Sequence, residues 1–197
     1  MSSTNDIERV CVYCSSSDQI EPAYHHAASR LGQHLAEENV ELIYGGGARG
    51  SMGHLADGAL EAGGRVTGIL PRFMHDLEWG HDGLSELQLV EDMHERKHRM
   101  LVNADAVVAM PGGCGTFEEL FEAITFKQLG LFLGPIVLLN TLNYFAPLLD
   151  LLHQCVDQGF MTPKHQDMWQ VIGEPDHVMG AIVSAPAWSR PLDKFPR

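Results

Sequence analysis

The run Pro111-Gly112-Gly113-Cys114-Gly115-Thr116-Phe117-Glu118-Glu119 combines the residue types needed to hold an anion and to act beside it. Three glycines within residues 112–116 let the backbone approach a ligand closely, and the free N–H groups at a helix start favour a negative charge. Thr116 is expected to cap that helix and to donate to a phosphate oxygen. Glu119 then lies one turn further on, near the bound group but not on the phosphate itself. A capping box from Thr116 to Glu119 is the plainer reading. It explains the threonine and the glutamate, but not the glycines.

Two other motifs suggest different chemistries. Gly45-Gly46-Gly47-Ala48-Arg49-Gly50 satisfies G-x-G-x-x-G, the mark of a dinucleotide site. It follows the second strand-like run rather than the first. Where an acid is expected about 20 residues on, the chain has Leu70-Pro71-Arg72. Contact of Gly46 and Gly47 with phosphate or sugar is the stronger expectation, with Arg72 leaving an NADP-type role open. His94-Glu95-Arg96-Lys97-His98 fits H-E-x-x-H, whose histidines share a helix face and can hold zinc. Here Arg96 and Lys97 put two cations where a dication would bind. A solvated helix face with incidental histidines is the plainer reading, and no metal is expected. Cys11 and Cys14 form one C-x-x-C without the second pair of a zinc site, and read as small buried side chains.

These motifs sit on alternating elements. Strand-like runs at 9–14, 41–44, 65–70, 87–90, 106–110, 136–139 and 171–172 alternate with helical patterns at 22–38, 51–62, 92–103, 116–129, 144–158 and 176–184. Residues 72–83 are weakly patterned, with room for one short helix. This alternation predicts an α/β fold: a single Rossmann-like domain, a mostly parallel sheet with helices on both faces. The domain is expected over residues 1–185, followed by an irregular tail over 186–197 that holds three prolines. Ligands of such sheets bind beyond the carboxyl ends of the strands. Ser15 to Asp18, Gly45 to Gly53 and Pro111 to Thr116 all fall there, which adds Ser15 to the candidate binding residues.

Composition narrows the partners. Thirteen Lys and Arg against 26 Asp and Glu give a formal net charge of -13, which repels a polyphosphate backbone. A small anionic ligand remains compatible if its pocket supplies local positive potential. No run approaches the roughly 20 apolar residues of a membrane span, and residues 1–8 carry no signal pattern, so a cytoplasmic protein is expected.

With these residues in place, the chain resembles the LOG family, the cytokinin riboside 5′-monophosphate phosphoribohydrolases, long labelled lysine decarboxylases. The resemblance runs from Val10-Cys11-Val12-Tyr13-Cys14-Ser15 to the helix near Leu151. It is most specific in PGGxGTxxE at Pro111 to Glu119 and in Met93-His94-Glu95-Arg96-Lys97, with Tyr44 to Gly47 and Gly50 to Gly53 also fitting. It implies Arg96 and Glu119 as the catalytic pair, and Gly112, Gly113, Cys114, Gly115 and Thr116 on the 5′-phosphate. Glu78, Lys97 and Thr125 are implied as further substrate contacts. Cys114 departs from the family, which often has Tyr there, and so bears on substrate preference.

The implied activity is hydrolysis of the N-glycosidic bond of a nucleoside 5′-monophosphate, a cytokinin riboside monophosphate or AMP. It needs no cofactor, and the family implies a homodimer. A non-catalytic carrier of a nucleotide or of molybdenum cofactor is the alternative, since such carriers have a related fold and glycine-rich loop but do not need Arg96 and Glu119. Pyridoxal chemistry would need a Schiff-base lysine. Of Lys97, Lys127, Lys164 and Lys194 only Lys97 is near the proposed site, and beside Arg96 it reads as an anion clamp.

Overall fold

The computed structural model describes residues 7–77 and 79–189; Glu78 and residues 190–197 of the expected tail lie outside them. The strands are β1 (Arg9–Tyr13), β2 (Glu41–Tyr44), β3 (Val66–Pro71), β4 (Glu86–Val90), β5 (Ala106–Ala109), β6 (Ile136–Leu139) and β7 (Gln170–Ile172). The α-helices are α1 (Pro22–Glu37), α2 (Gly50–Glu61), α3 (Arg72–His75), α4 (Met93–Val102), α5 (Cys114–Leu129), α6 (Ala146–Asp157) and α7 (Val178–Ser184).

Every strand pair is parallel, in the order β4-β3-β2-β1-β5-β6-β7. Parallel neighbours need long crossovers, and the helices supply them. From β1 the chain lays down β2, β3 and β4 on one side, then returns to place β5, β6 and β7 on the other. The reversal between β1 and β5 leaves a crevice at their carboxyl ends.

Period-two alternation assigns each strand residue to one of two cores. Val10 and Val12 pack with Leu31 and Leu35 of α1, Leu55 of α2 and Ile182 of α7. Cys11 and Tyr13 face the other way, with Met100 of α4, Leu120 and Ile124 of α5, and Leu152 of α6. Strands covered on both faces read as continuous apolar runs, as Ala106 to Met110 does. Cys11 and Cys14 are free and buried in these cores, as the apolar context suggested.

The weak 72–83 segment holds one helical turn, α3, and then folds back so that Gly80 bridges Gly47 in antiparallel sense. The first residues of the expected tail, 186–189, have no regular secondary structure, and the Trp188 Nε1–H donates to the Lys127 carbonyl on α5 at 2.7 Å.

Candidate active site

Two glycine-rich turns each lead from a strand into a helix, and their amides decide which can hold an anion. At α2, Gly50 adopts φ +59° and its N–H donates to Asp18 Oδ1 at 2.8 Å, while the Met52 N–H donates to the Ser15 carbonyl at 3.1 Å. A carboxylate of the protein already occupies that helix start. The Gly50 amide at that helix start is therefore already paired within the chain.

At α5 the first intrahelical bond runs from the Phe117 N–H to the Gly113 carbonyl at 3.0 Å. The amides of Cys114, Gly115 and Thr116 find no acceptor among the described residues, as the first turn of a helix requires. A Cβ at Gly113 or Gly115 would meet nothing within 4 Å, so these glycines keep open space rather than relieve crowding. The Tyr144 hydroxyl steadies the loop by donating to the Gly112 carbonyl at 2.6 Å.

The helix begins two residues earlier than its sequence pattern suggested. Gly113 is the N-cap, with no side-chain cap, and Thr116 is the third helical residue. Thr116 therefore neither caps the helix nor forms a box with Glu119. Its buried side chain lies where a Cβ at Gly112 would stand.

The second cluster comes from α4. Asp92 caps this helix by accepting from the Glu95 N–H at 2.8 Å, and Glu95 accepts from the Glu91 N–H at 2.8 Å and pairs with Arg99 at 2.6 Å. The glutamate of the H-E-x-x-H match is thus a helix-start residue, and His94 and His98 are exposed. Among the described residues no group of three or more His, Cys, Asp or Glu is arranged to hold a metal ion. The solvated-face reading holds for the histidines but not for Arg96 and Lys97, which face inward and are buried.

Arg96 is fixed by two strand-end carbonyls: Nε–H donates to Ile69 O at 3.1 Å and Nη2–H to Gly45 O at 2.9 Å. A Cβ at Gly45 would overlap that guanidinium, so the glycine turn after β2 serves to admit Arg96. The remaining nitrogen, Nη1, lies 3.9 Å from Glu119 Oε1, with the two side chains each 7% exposed. Burial pushes the Glu119 carboxyl up to about 7, with Arg96 pulling the other way. At neutral pH Glu119 therefore shares its population between acid and carboxylate.

Lys97 behaves differently. Its ammonium lies 2.7 Å from Glu118 Oε1 and 2.7 Å from Glu122 Oε2. Burial works against the charge, but the two carboxylates outweigh it and raise the pKa. The ammonium expected to clamp an anion is thus paired with two carboxylates of the chain. Held as a paired ammonium, it is unsuited to form a Schiff base.

Gly113, Gly115, Thr116, Arg96, Glu119 and Ser15 line one cleft of about 440 Å³. Arg96, Met52 and Met74 also border a second hollow of about 290 Å³, walled by Leu70 and Trp79 and by Gly45 and Gly47. Arg96 thus stands between a polar end with open amides and an apolar end lined by Met52, Leu70, Met74 and Trp79. Gly46 lies outside both linings, at φ +76°, with its carbonyl accepting from the His81 N–H. Cys114 is exposed and outside the cleft lining. Thr125 lies on the exposed face of α5, nine residues beyond Thr116, or about 13 Å along the axis. Met74, Trp79 and Tyr144 are not among the residues the sequence nominates, and Asp18 and Met52 enter there only within the segments Ser15 to Asp18 and Gly50 to Gly53. Only Trp79, an aromatic in a glycine-rich loop, gave a local signal.

The chain has named sequence relatives over most of its length. The cytokinin riboside 5′-monophosphate phosphoribohydrolase LOG7 of Arabidopsis thaliana is 42% identical over 79% of this chain and 72% of its own length. LOG2 of the same plant is 37% identical over 95% of this chain and 92% of its own. The enzyme of that name from Rhodococcoides fascians is 40% identical, with 89% of each chain covered. Residues 52–182 match the family described as "Possible lysine decarboxylase". The chain belongs to the LOG family.

Among solved structures, this LOG-family chain is similar to the molybdenum cofactor carrier protein of Chlamydomonas reinhardtii. The TM-score is 0.68 at 22% identity, covering 91% of this chain and 98% of that one. The molybdenum cofactor binding protein of Rippkaea orientalis gives 0.68 at 24% identity, covering 90% and 96%. At these identities the likeness establishes the shared fold.

Proposed function

We propose that this protein hydrolyses the N-glycosidic bond of a nucleoside 5′-monophosphate, a cytokinin riboside 5′-monophosphate or AMP, releasing the free base and ribose 5-phosphate. The observation that carries the reading is the buried Arg96–Glu119 pair in a cleft that Gly115 and Thr116 also line, with their amides open. The relatives' names give the reaction class, and the carrier alternative has support from the fold alone.

In this reading the amides from Gly113 to Thr116 hold the 5′-phosphate. The ribose then lies over Glu119, and the base reaches the apolar end past Arg96. Glycosidic cleavage passes through a sugar with oxocarbenium character. Ionised Glu119 faces that charge and accepts a proton from the attacking water; the water oxygen bonds to C1′ as the C1′–N bond breaks, the departing base takes a proton from solvent, and Glu119 returns its own proton to solvent afterwards. A carboxyl near 7 suits this exchange at neutral pH. Arg96 is a poor proton donor, since its pKa exceeds about 12. Its role is electrostatic, orienting Glu119 and the departing base. The phosphate grip supplies binding energy remote from the breaking bond.

The family resemblance also leads us to propose a homodimer, and the exposed side chains of Phe121, Leu129 and Leu131 offer an apolar face on and beside α5. Thr125 shares that face, so a role for it in binding requires the face to meet the cleft of a second copy. Among the described residues no helix is long and apolar enough to cross a membrane; a cytoplasmic location agrees with that. The test is incubation with AMP and, separately, isopentenyladenosine 5′-monophosphate, with chromatographic detection of free base and ribose 5-phosphate. Release from at least one is expected. Release from neither overturns the reading.

A further inference from the structure

Residues 79–83 are fastened to the turn after β2 by their backbone. The Trp79 carbonyl accepts from the Ala48 N–H at 3.1 Å, the His81 N–H donates to the Gly46 carbonyl at 3.0 Å, and Gly80 bridges Gly47. The His81 ring adds a link from a different direction. Its Nδ1 accepts from the Gly83 N–H at 3.0 Å, which leaves the ring proton on Nε2, 2.9 Å from Asp57 Oδ1 on α2. The His81 side chain is 13% exposed although it belongs to a surface segment. The segment's first residue, Trp79, lines the apolar hollow together with Met52 and Met74.

We propose that the His81–Asp57 pair is a latch, and that His81 is a positioning residue which holds Trp79 against the base end of the cleft. The α2 helix that carries Asp57 also carries Met52, so one rigid element sets both walls of the hollow. A flat heteroaromatic base fits between an indole and a thioether, where stacking and sulfur contacts are favourable. The hollow then depends on where the 79–83 segment sits, which its own sequence does not fix. This inference rests on the nucleotide reading of the site.

The two ring bonds can be separated. In His81→Asn the amide oxygen stands near the old Nδ1 and keeps the Gly83 bond, but the side chain no longer reaches Asp57. In His81→Gln the amide nitrogen reaches Asp57, but the Gly83 bond is lost. For His81→Asn and Asp57→Ala, KM for AMP is expected to rise about fivefold, the scale of one net hydrogen bond, with kcat within about twofold. Hydrogen exchange of the intact chain should quicken in peptides covering residues 45–49 and 79–83. His81→Gln should recover most of both properties, and the Asp57→Ala/His81→Asn double variant should be no worse than either single one. Unchanged exchange in both single variants overturns the latch, as does damage in His81→Gln equal to that in His81→Asn. Faster exchange with unchanged KM overturns its link to the base end. If the wild-type protein releases no base, the nucleotide reading fails, while the exchange measurement still reports on the latch.

Discussion

Replacing Glu119 by Gln should inactivate the protein and at the same time make it more stable at alkaline pH. Gln keeps the shape of the protonated side chain and removes the charge. In the fold, burial raises the carboxyl from 4.5 to about 7, so the native state binds a proton over a pH range in which the unfolded chain has lost it. The stability contributed by that proton is complete below pH 4.5 and is lost as pH rises through about 7. A shift of this size corresponds to about 3 kcal/mol between the two limits. Urea unfolding of wild type and Glu119→Gln at pH 5 and pH 8.5 isolates this contribution, because every other titrating group cancels in the difference. The variant should gain 2 to 3 kcal/mol relative to wild type between the two pH values, on the order set by that shift. Turnover should fall at least ~1,000-fold, on the scale of removing a catalytic group. A stability difference that is equal at both pH values would refute the claim that the fold strains the ionised carboxylate. Near wild-type turnover would remove Glu119 from the reaction.

Two further outcomes follow from the geometry. Gly115→Ala should leave the midpoint of thermal unfolding within about 2 °C of wild type, since its Cβ would meet only open space and Ala favours a helix. The same change should weaken AMP binding at least ~10-fold, measurable by calorimetry with the Glu119→Gln protein as background; unaltered affinity would place the phosphate elsewhere. Arg96→Lys should cost about 100-fold in kcat/KM, because a single ammonium cannot serve the Ile69 and Gly45 carbonyls while also facing Glu119; steady-state kinetics with activity retained would show that charge alone suffices.

The order of elements was legible along the chain because its causes are local. Apolar runs and helical periodicity placed seven strands and the crossover helices, and the motif at Pro111 to Glu119 marked a turn from strand into helix. The start of α5 was misplaced by two residues because a threonine before acidic residues looks like a cap. The backbone instead uses Gly113, whose carbonyl takes the Phe117 N–H. Sequence spacing could not tell the two glycine turns apart, since both obey strand, glycines, helix. Their difference lies in Asp18, distant in sequence, which fills one helix start and leaves the other open.

What the sequence determined by itself is therefore the parallel sheet and the glycine loop after its fifth strand, because these rest on periodicity and short-range spacing; Arg96 and Glu119 entered as a pair through the resemblance to the LOG family. The tertiary structure alone decided that Arg96 is held by the ends of β2 and β3, that Lys97 is consumed by Glu118 and Glu122, and that Glu119 is buried deeply enough to keep its proton near neutrality. Each of those outcomes depends on which charges and carbonyls a side chain meets once the strand order reverses between β1 and β5, and on how much water the packed helices exclude. Neither quantity exists until the chain has folded.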